Sequence, residues 1–137
     1  MKNHRTIDLK AIAWDAMAKY GFLPRFPEGV VREKDGMVVL AGCGHSGILN
    51  MVKAAQDRFP DEPVKAVVGG FHLIDNPLLK TMGATPGEVR EMARRLDAMG
   101  CRRVITGHCT GEKAARILKE EMGDRLEILH TGFSSDL

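Results

Sequence analysis

The sequence predicts an α/β domain built on a mostly parallel sheet, and three observations carry that reading. Short apolar runs recur at Met37–Ala41, Val64–Val68, Arg103–Thr106 and Leu126–His130. Segments with helical periodicity separate them, and parallel neighbours need such crossovers. The runs are continuous rather than alternating, as expected of strands covered by helices on both faces. Length agrees, since 137 residues suffice for one domain with its own core.

The first 35 residues form an N-terminal helix and a connector. Asp8 caps the helix, and Leu9, Ile12, Ala13, Ala16 and Tyr20 recur on one helical face before Gly21 stops it. Pro24 and Pro27 then break regular structure, and Glu28 to Gly36 reads as a polar, turn-rich lead into the first strand. Residues 36–137 make the αβ unit proper. A helix from about Ser46 to Arg58 carries Ile48, Val52, Ala55 and Phe59 on one side, and Pro60 ends it. After the second strand comes a loop from Leu73 to Ala84. The next helix has the strongest local signal. Thr85 and Glu88 match a capping box, Pro86 takes the first helical position, and Val89, Met92, Ala93 and Leu96 make the apolar stripe. A final helix spans about Glu112 to Met122, and Gly123 closes it. The last strand belongs at an edge of a sheet of about four parallel strands.

Composition narrows the function classes. Lys and Arg number 20 against 18 for Asp and Glu, so no basic stripe supports nucleic-acid or membrane-surface binding. No apolar run approaches the ~20 residues that cross a bilayer. The charged N-terminus lacks the apolar stretch of a secretory signal. Cys43, Cys101 and Cys109 are an odd number, which disfavours a disulfide framework and fits a reducing, cytoplasmic setting.

The chemistry lies where strands end. His45 sits in Gly42-Cys43-Gly44-His45-Ser46-Gly47, His72 in Gly69-Gly70-Phe71-His72, and His108 in Gly107-His108-Cys109-Thr110-Gly111, each just after an apolar run. In a parallel sheet these turns share one edge, where open α/β sheets place their sites. An isolated histidine is more often a hydrogen-bonded loop or core residue. Three at equivalent strand ends shift the balance to a metal site, since neutral imidazole suits zinc, manganese, iron or nickel. A bound divalent ion generates hydroxide near neutral pH. Ser46 and Gly47 open a helix whose free N–H groups favour a phosphate or carboxylate of a small-molecule substrate or cofactor.

His130, near the end of the last strand, is a further candidate, whereas His4 reads as an exposed terminal residue. Cys43 and Cys109 read as small buried residues before ligands or nucleophiles. Asp75, beside Asn76-Pro77, reads first as a turn former.

Gly42-Cys43-Gly44-His45-Ser46-Gly47-Ile48 with Asn50, then Gly69-Gly70-Phe71-His72-Leu73, then His108-Cys109-Thr110-Gly111 resemble the second half of a metallo-β-lactamase fold. The nearest branch is the dihydropterin-ribofuranosylaminobenzene-phosphate synthase-like metal-dependent hydrolases. The resemblance runs from about Gly36 to Gly132. It implies that His45 and His108 are metal ligands, with His72 where many relatives place a bridging Asp, and that the metal is zinc, with manganese or iron as alternatives. It also implies a fold of two αβ halves, the first bearing His-x-His-x-Asp-His. That signature is absent from this sequence. The expectation is therefore a C-terminal half-domain: a split subunit, a truncated form or a remnant. Such a half would expose an apolar face, so a homo-oligomer that covers it is expected, or a partner chain that supplies the missing half. The competing reading is a non-catalytic metal- or ligand-binding αβ module that has lost the chemistry.

Overall fold

The computed structural model describes residues 5–6, 28–42, 47–76 and 81–137. The predicted first helix lies outside them, as do residues 43–46. A six-stranded sheet runs in the order β1 (Arg5–Thr6), β2 (Glu28–Glu33), β3 (Gly36–Ala41), β4 (Val64–Gly69), β7 (Arg103–Thr106), β8 (Leu126–Ile128). The pairs β3–β4, β4–β7 and β7–β8 are parallel, as the alternation predicts, and β8 lies at the edge. Three helices connect them: α1 (Ile48–Arg58), α2 (Pro86–Ala98) and α3 (Glu112–Met122). A small hairpin of β5 (Ile74–Asn76) and β6 (Thr81–Met82) occupies the predicted Leu73–Ala84 loop.

Two expectations need correction. The segment Glu28 to Gly36 is a strand and turn rather than a connector, because β2 pairs antiparallel with β3 along its whole length. Of its polar residues, Arg32, Glu33 and Asp35 are ion-paired. Lys65 on β4 is 6 % exposed and holds both Glu33 and Asp35 at the hairpin turn. Arg32 pairs with Glu62 and lies 4.8 Å above the Phe59 ring. A division at Gly36 thus falls within one hairpin.

The described helices also cover one face of the sheet. Successive parallel strands are neighbours and every step runs in the same direction, so crossovers of one hand place all three helices on one side. The packing shows this layer. Met37, Val39, Val67, Val104 and Leu126 share a core with Ile48 and Val52 of α1, Val89 and Leu96 of α2, and Leu118 of α3. Side chains of a strand alternate between faces, so Val38, Ala66 and Ile105 turn the other way. They are nevertheless buried. On that face Arg103 reaches Glu127, Ser135 and the carbonyl of Asp136, which ties the C-terminal tail beneath β7 and β8. An apolar face left bare for an absent half is therefore not found at these positions. Leu40, at 39 % exposed, is where it meets solvent.

Local signals hold where the chain provides its own partners. Thr85 Oγ1 accepts from the Glu88 N–H at 3.2 Å, and Glu88 Oε2 accepts from the Thr85 N–H at 2.7 Å, so the capping box is complete. The Thr85 N–H holds the Glu88 carboxyl below its ordinary 4.5. A carboxylate depressed in this way stabilises fully above its unfolded value and loses that contribution as pH falls through the folded one. The stability advantage of the natural chain over Glu88→Ala should therefore be constant at neutral pH and shrink below about pH 4.5. Urea midpoints measured across that range check this, and an advantage that grows on acidification contradicts it.

One glycine fixes the register of the sheet at its functional edge. Gly69 has φ +141°, and a Cβ there would lie 1.9 Å from the Ala41 carbonyl oxygen. Gly69→Ala is expected to cost on the order of 3 kcal/mol or more in denaturant unfolding, from backbone strain plus the clash. A cost within ~0.5 kcal/mol, typical of surface substitutions, would show that the strands part easily here.

Candidate functional site at the carboxyl ends of the strands

The loops after β3, β4 and β7 are joined into one platform by hydrogen bonds. The Gly70 N–H donates to the Gly42 carbonyl at 2.9 Å, which links the first loop to the second. Three successive N–H groups of the second loop then reach the third. Phe71 donates to Thr110 Oγ1 at 2.9 Å, His72 to Cys109 Sγ at 3.3 Å, and Leu73 to the Cys109 carbonyl at 2.9 Å. Beneath them, Thr106 Oγ1 donates to the Gly69 carbonyl at 2.8 Å and lies 2.6 Å from Thr110 Oγ1. Both threonines are fully buried.

The donors and acceptors in this cluster can be assigned. Thr106 spends its proton on Gly69, so the short contact between hydroxyls has Thr110 donating and Thr106 accepting. Thr110 then accepts the Phe71 N–H. Every member is satisfied, as a buried polar network must be to stabilise rather than weaken its surroundings. These threonines are absent from the sequence-based candidates. Their signal was present in the sequence as a pair four residues apart bracketing Gly107-His108-Cys109.

His72 and His108 both lie on this platform, and both are exposed. They are also the described residues other than glycine with positive φ, at 52° and 54°. A left-handed backbone costs a residue with a Cβ about 1–2 kcal/mol, and strain of this kind concentrates at functional sites. Here the loop hydrogen bonds maintain it. His45 and Ser46 lie outside the described residues. Gly47 is the N-cap of α1 with φ 87°, and no side chain caps that helix. His130 follows β8, with its Nδ1 3.0 Å from the Thr131 carbonyl and its ring edge-on to Phe133. Asp75 falls in β5.

Cys101 is no candidate nucleophile, because burial, with Asp97 adding to it, pushes its thiol up to about 12. Among the described residues no three His, Cys, Asp or Glu side chains cluster as a metal site. Two of the three predicted ligands share the platform, and the third belongs to residues 43–46.

The fold and this arrangement of strand-end loops define a class, and comparison with known proteins agrees. No protein-family model matches the chain. A crystallised metal-dependent hydrolase of the β-lactamase superfamily superposes with a TM-score of 0.68 at 33% identity, over 79% of this chain and 39% of that one. The chain is therefore similar to part of the metallo-β-lactamase fold. The chain is also similar to 7,8-dihydropterin-6-methyl-4-(β-D-ribofuranosyl)-aminobenzene-5'-phosphate synthase of Methanocaldococcus jannaschii, 38% identical over 103 residues. That match takes in 75% of this chain but 32% of the synthase, so the chain spans about a third of its relative's length. Among the described residues, no helix is long and apolar enough to cross a membrane.

Strain at the two histidines can be measured directly. At a left-handed position glycine is free of the Cβ penalty, so His72→Gly should be more stable than His72→Ala, by about 1 kcal/mol, and likewise at His108. Elsewhere in a folded chain alanine is the more stable of the two. Chemical denaturation of both pairs checks the sign, and alanine proving more stable at both positions would remove the strain argument.

Proposed function

We propose that this chain contributes three imidazole ligands, His45, His72 and His108, to a divalent metal centre of a hydrolase or synthase acting on a phosphorylated or carboxylated small molecule. The observation that carries this reading is the pair of left-handed, exposed histidines on two strand-end loops hydrogen-bonded to each other. The donor chemistry fits, since exposed imidazoles on a rigid platform present ring nitrogens without burying charge, and neutral imidazole suits zinc, with manganese or iron as alternatives. When bound, the ion supplies Lewis acidity toward a phosphoryl or carbonyl oxygen. The protein's own contribution is positional. Thr106 and Thr110 lock the loops, the left-handed backbone sets the direction of His72 and His108, and the α1 N-terminus, which Ser46 and Gly47 precede in the sequence, receives an anionic substrate group. Support from the comparisons is that one matching structure is a metal-dependent hydrolase and one relative is a synthase named for a 5'-phosphate product.

A two-metal mechanism needs ions ~3.5–4 Å apart, and the His-x-His-x-Asp-His ligands for a second ion are not in these 137 residues. We therefore place the remaining ligands in another segment or chain, and expect the isolated chain to be a weak hydrolase in a reducing, cytoplasmic setting. Cobalt(II) titration followed in the visible spectrum should show binding that His72→Ala and His108→Ala each weaken by more than about tenfold. Turnover of bis(4-nitrophenyl) phosphate with added zinc or manganese should be slow and lost in His45→Ala and His108→Ala. Robust turnover surviving both substitutions would put the chemistry elsewhere.

A further inference from the structure

We propose that the groove between α3 and the end of β8 is a binding cleft for an organic anion with an apolar body. It deepens the metal-site reading, because one end of the groove is His108 itself. The cavity measures about 540 Å³, within the ~300–1,000 Å³ usual for small-molecule sites.

Its chemistry is set by one stripe of α3. Glu112, Ala115, Arg116 and Lys119 line the groove and recur at the spacing of a single helical face. On a helix covering a sheet edge, such a stripe ordinarily packs apolar side chains against the last strand. Here the apolar residue of that stripe is the small Ala115. Ile128 pairs with Thr106, so it faces the helical side like Val104 and Leu126. It stays 45 % exposed, as one of two large hydrophobic residues so placed among those described. The groove therefore has an apolar floor of Ile128, Ala115 and Leu129.

Its charged wall is cationic at two positions. Lys119 Nζ donates to the Leu126 carbonyl at 2.8 Å, which fixes an ammonium beside the strand. The Arg116 guanidinium is 3.8 Å from Glu112, beyond hydrogen-bond length, and 70 % exposed. Its fork is thus largely available to a carboxylate or phosphate. Glu112 leaves the lining with a net single positive charge. A ligand that lays an apolar or aromatic body on Ile128 and turns its anionic group to Arg116 satisfies both surfaces at once.

The test uses 1-naphthyl phosphate on the metal-free protein, with inorganic phosphate and 1-naphthol as the anionic and apolar halves of the probe. Amide shifts in NMR titrations should centre on Ala115, Arg116, Ile128 and Leu129, and the joined probe should bind more tightly than either half. Arg116→Glu should weaken it about tenfold through the lost charge-assisted contact, and Ile128→Ser about fivefold through the lost apolar contact. Both positions are exposed, so equal urea midpoints are expected and serve as the fold control. Shifts centred elsewhere, affinity unchanged in both variants, or inorganic phosphate binding as tightly as the aryl ester would each overturn the proposal. Cobalt binding is measured on the same preparations. Loss of the probe with intact cobalt binding sinks the groove alone, and the reverse outcome sinks the metal reading alone.

Discussion

The Thr106–Thr110 hydroxyl contact is the interaction on which the functional edge of this molecule depends. A parallel sheet aligns its strands but leaves the loops beyond them free to take many paths. Two buried hydroxyls remove that freedom. Thr106 anchors β7 to the last carbonyl of β4, and Thr110 receives the Phe71 N–H of the loop that carries His72. One network therefore constrains two candidate ligands on separate loops. Its burial makes it stringent, because a buried polar group without a partner costs about 1–3 kcal/mol. Each threonine thus requires the other to keep its geometry.

The left-handed histidines are a consequence of that constraint. An isolated loop would relax such a residue toward the extended or right-handed regions, where a Cβ is unstrained. Bonds from the His72 and Leu73 N–H groups to Cys109 hold the chain in its costly conformation on both sides of the contact. The same bonds explain why Cys109 is retained beside a candidate ligand without being assigned catalysis. Its sulfur and its carbonyl both serve as acceptors.

Much of this was legible in the sequence, and the exceptions have definite causes. Helix α2 was readable because Thr85, Pro86 and Glu88 encode its start locally, without help from distant residues. The four parallel strands were readable as short, mainly apolar runs separated by helical segments. Strand β2 was hidden because Arg32 and Glu33 look like loop residues until Glu62 and Lys65 arrive from 30 or more positions away. Asp35-Gly36 was the available clue, a common hairpin-turn pair after Val30-Val31. The one-sided helical layer was hidden for another reason. Continuous apolar runs report that both faces of a sheet are buried, but not by what, and here a tail anchored on Arg103 takes part in covering the second face. At the site, motif and position identified the histidines, whereas their backbone strain and the threonine pair depend on contacts between loops that no local pattern records.

The sequential order of the parallel strands has a bearing on how the chain reaches this structure. From β3 onward, every strand is added at the same growing edge, next to the strand that precedes it in that sheet. No strand has to be inserted between two already paired. Each helix can dock beside the one made just before it, so the partly formed sheet always presents its growing edge to the next strand. A chain emerging from the ribosome can then assemble in the order in which it is synthesised. Its hydroxyl clasp forms only when β7 and the turn beyond it have joined β4. The functional edge is consequently among the last parts to be set, after the hairpin and the first two helices have their neighbours.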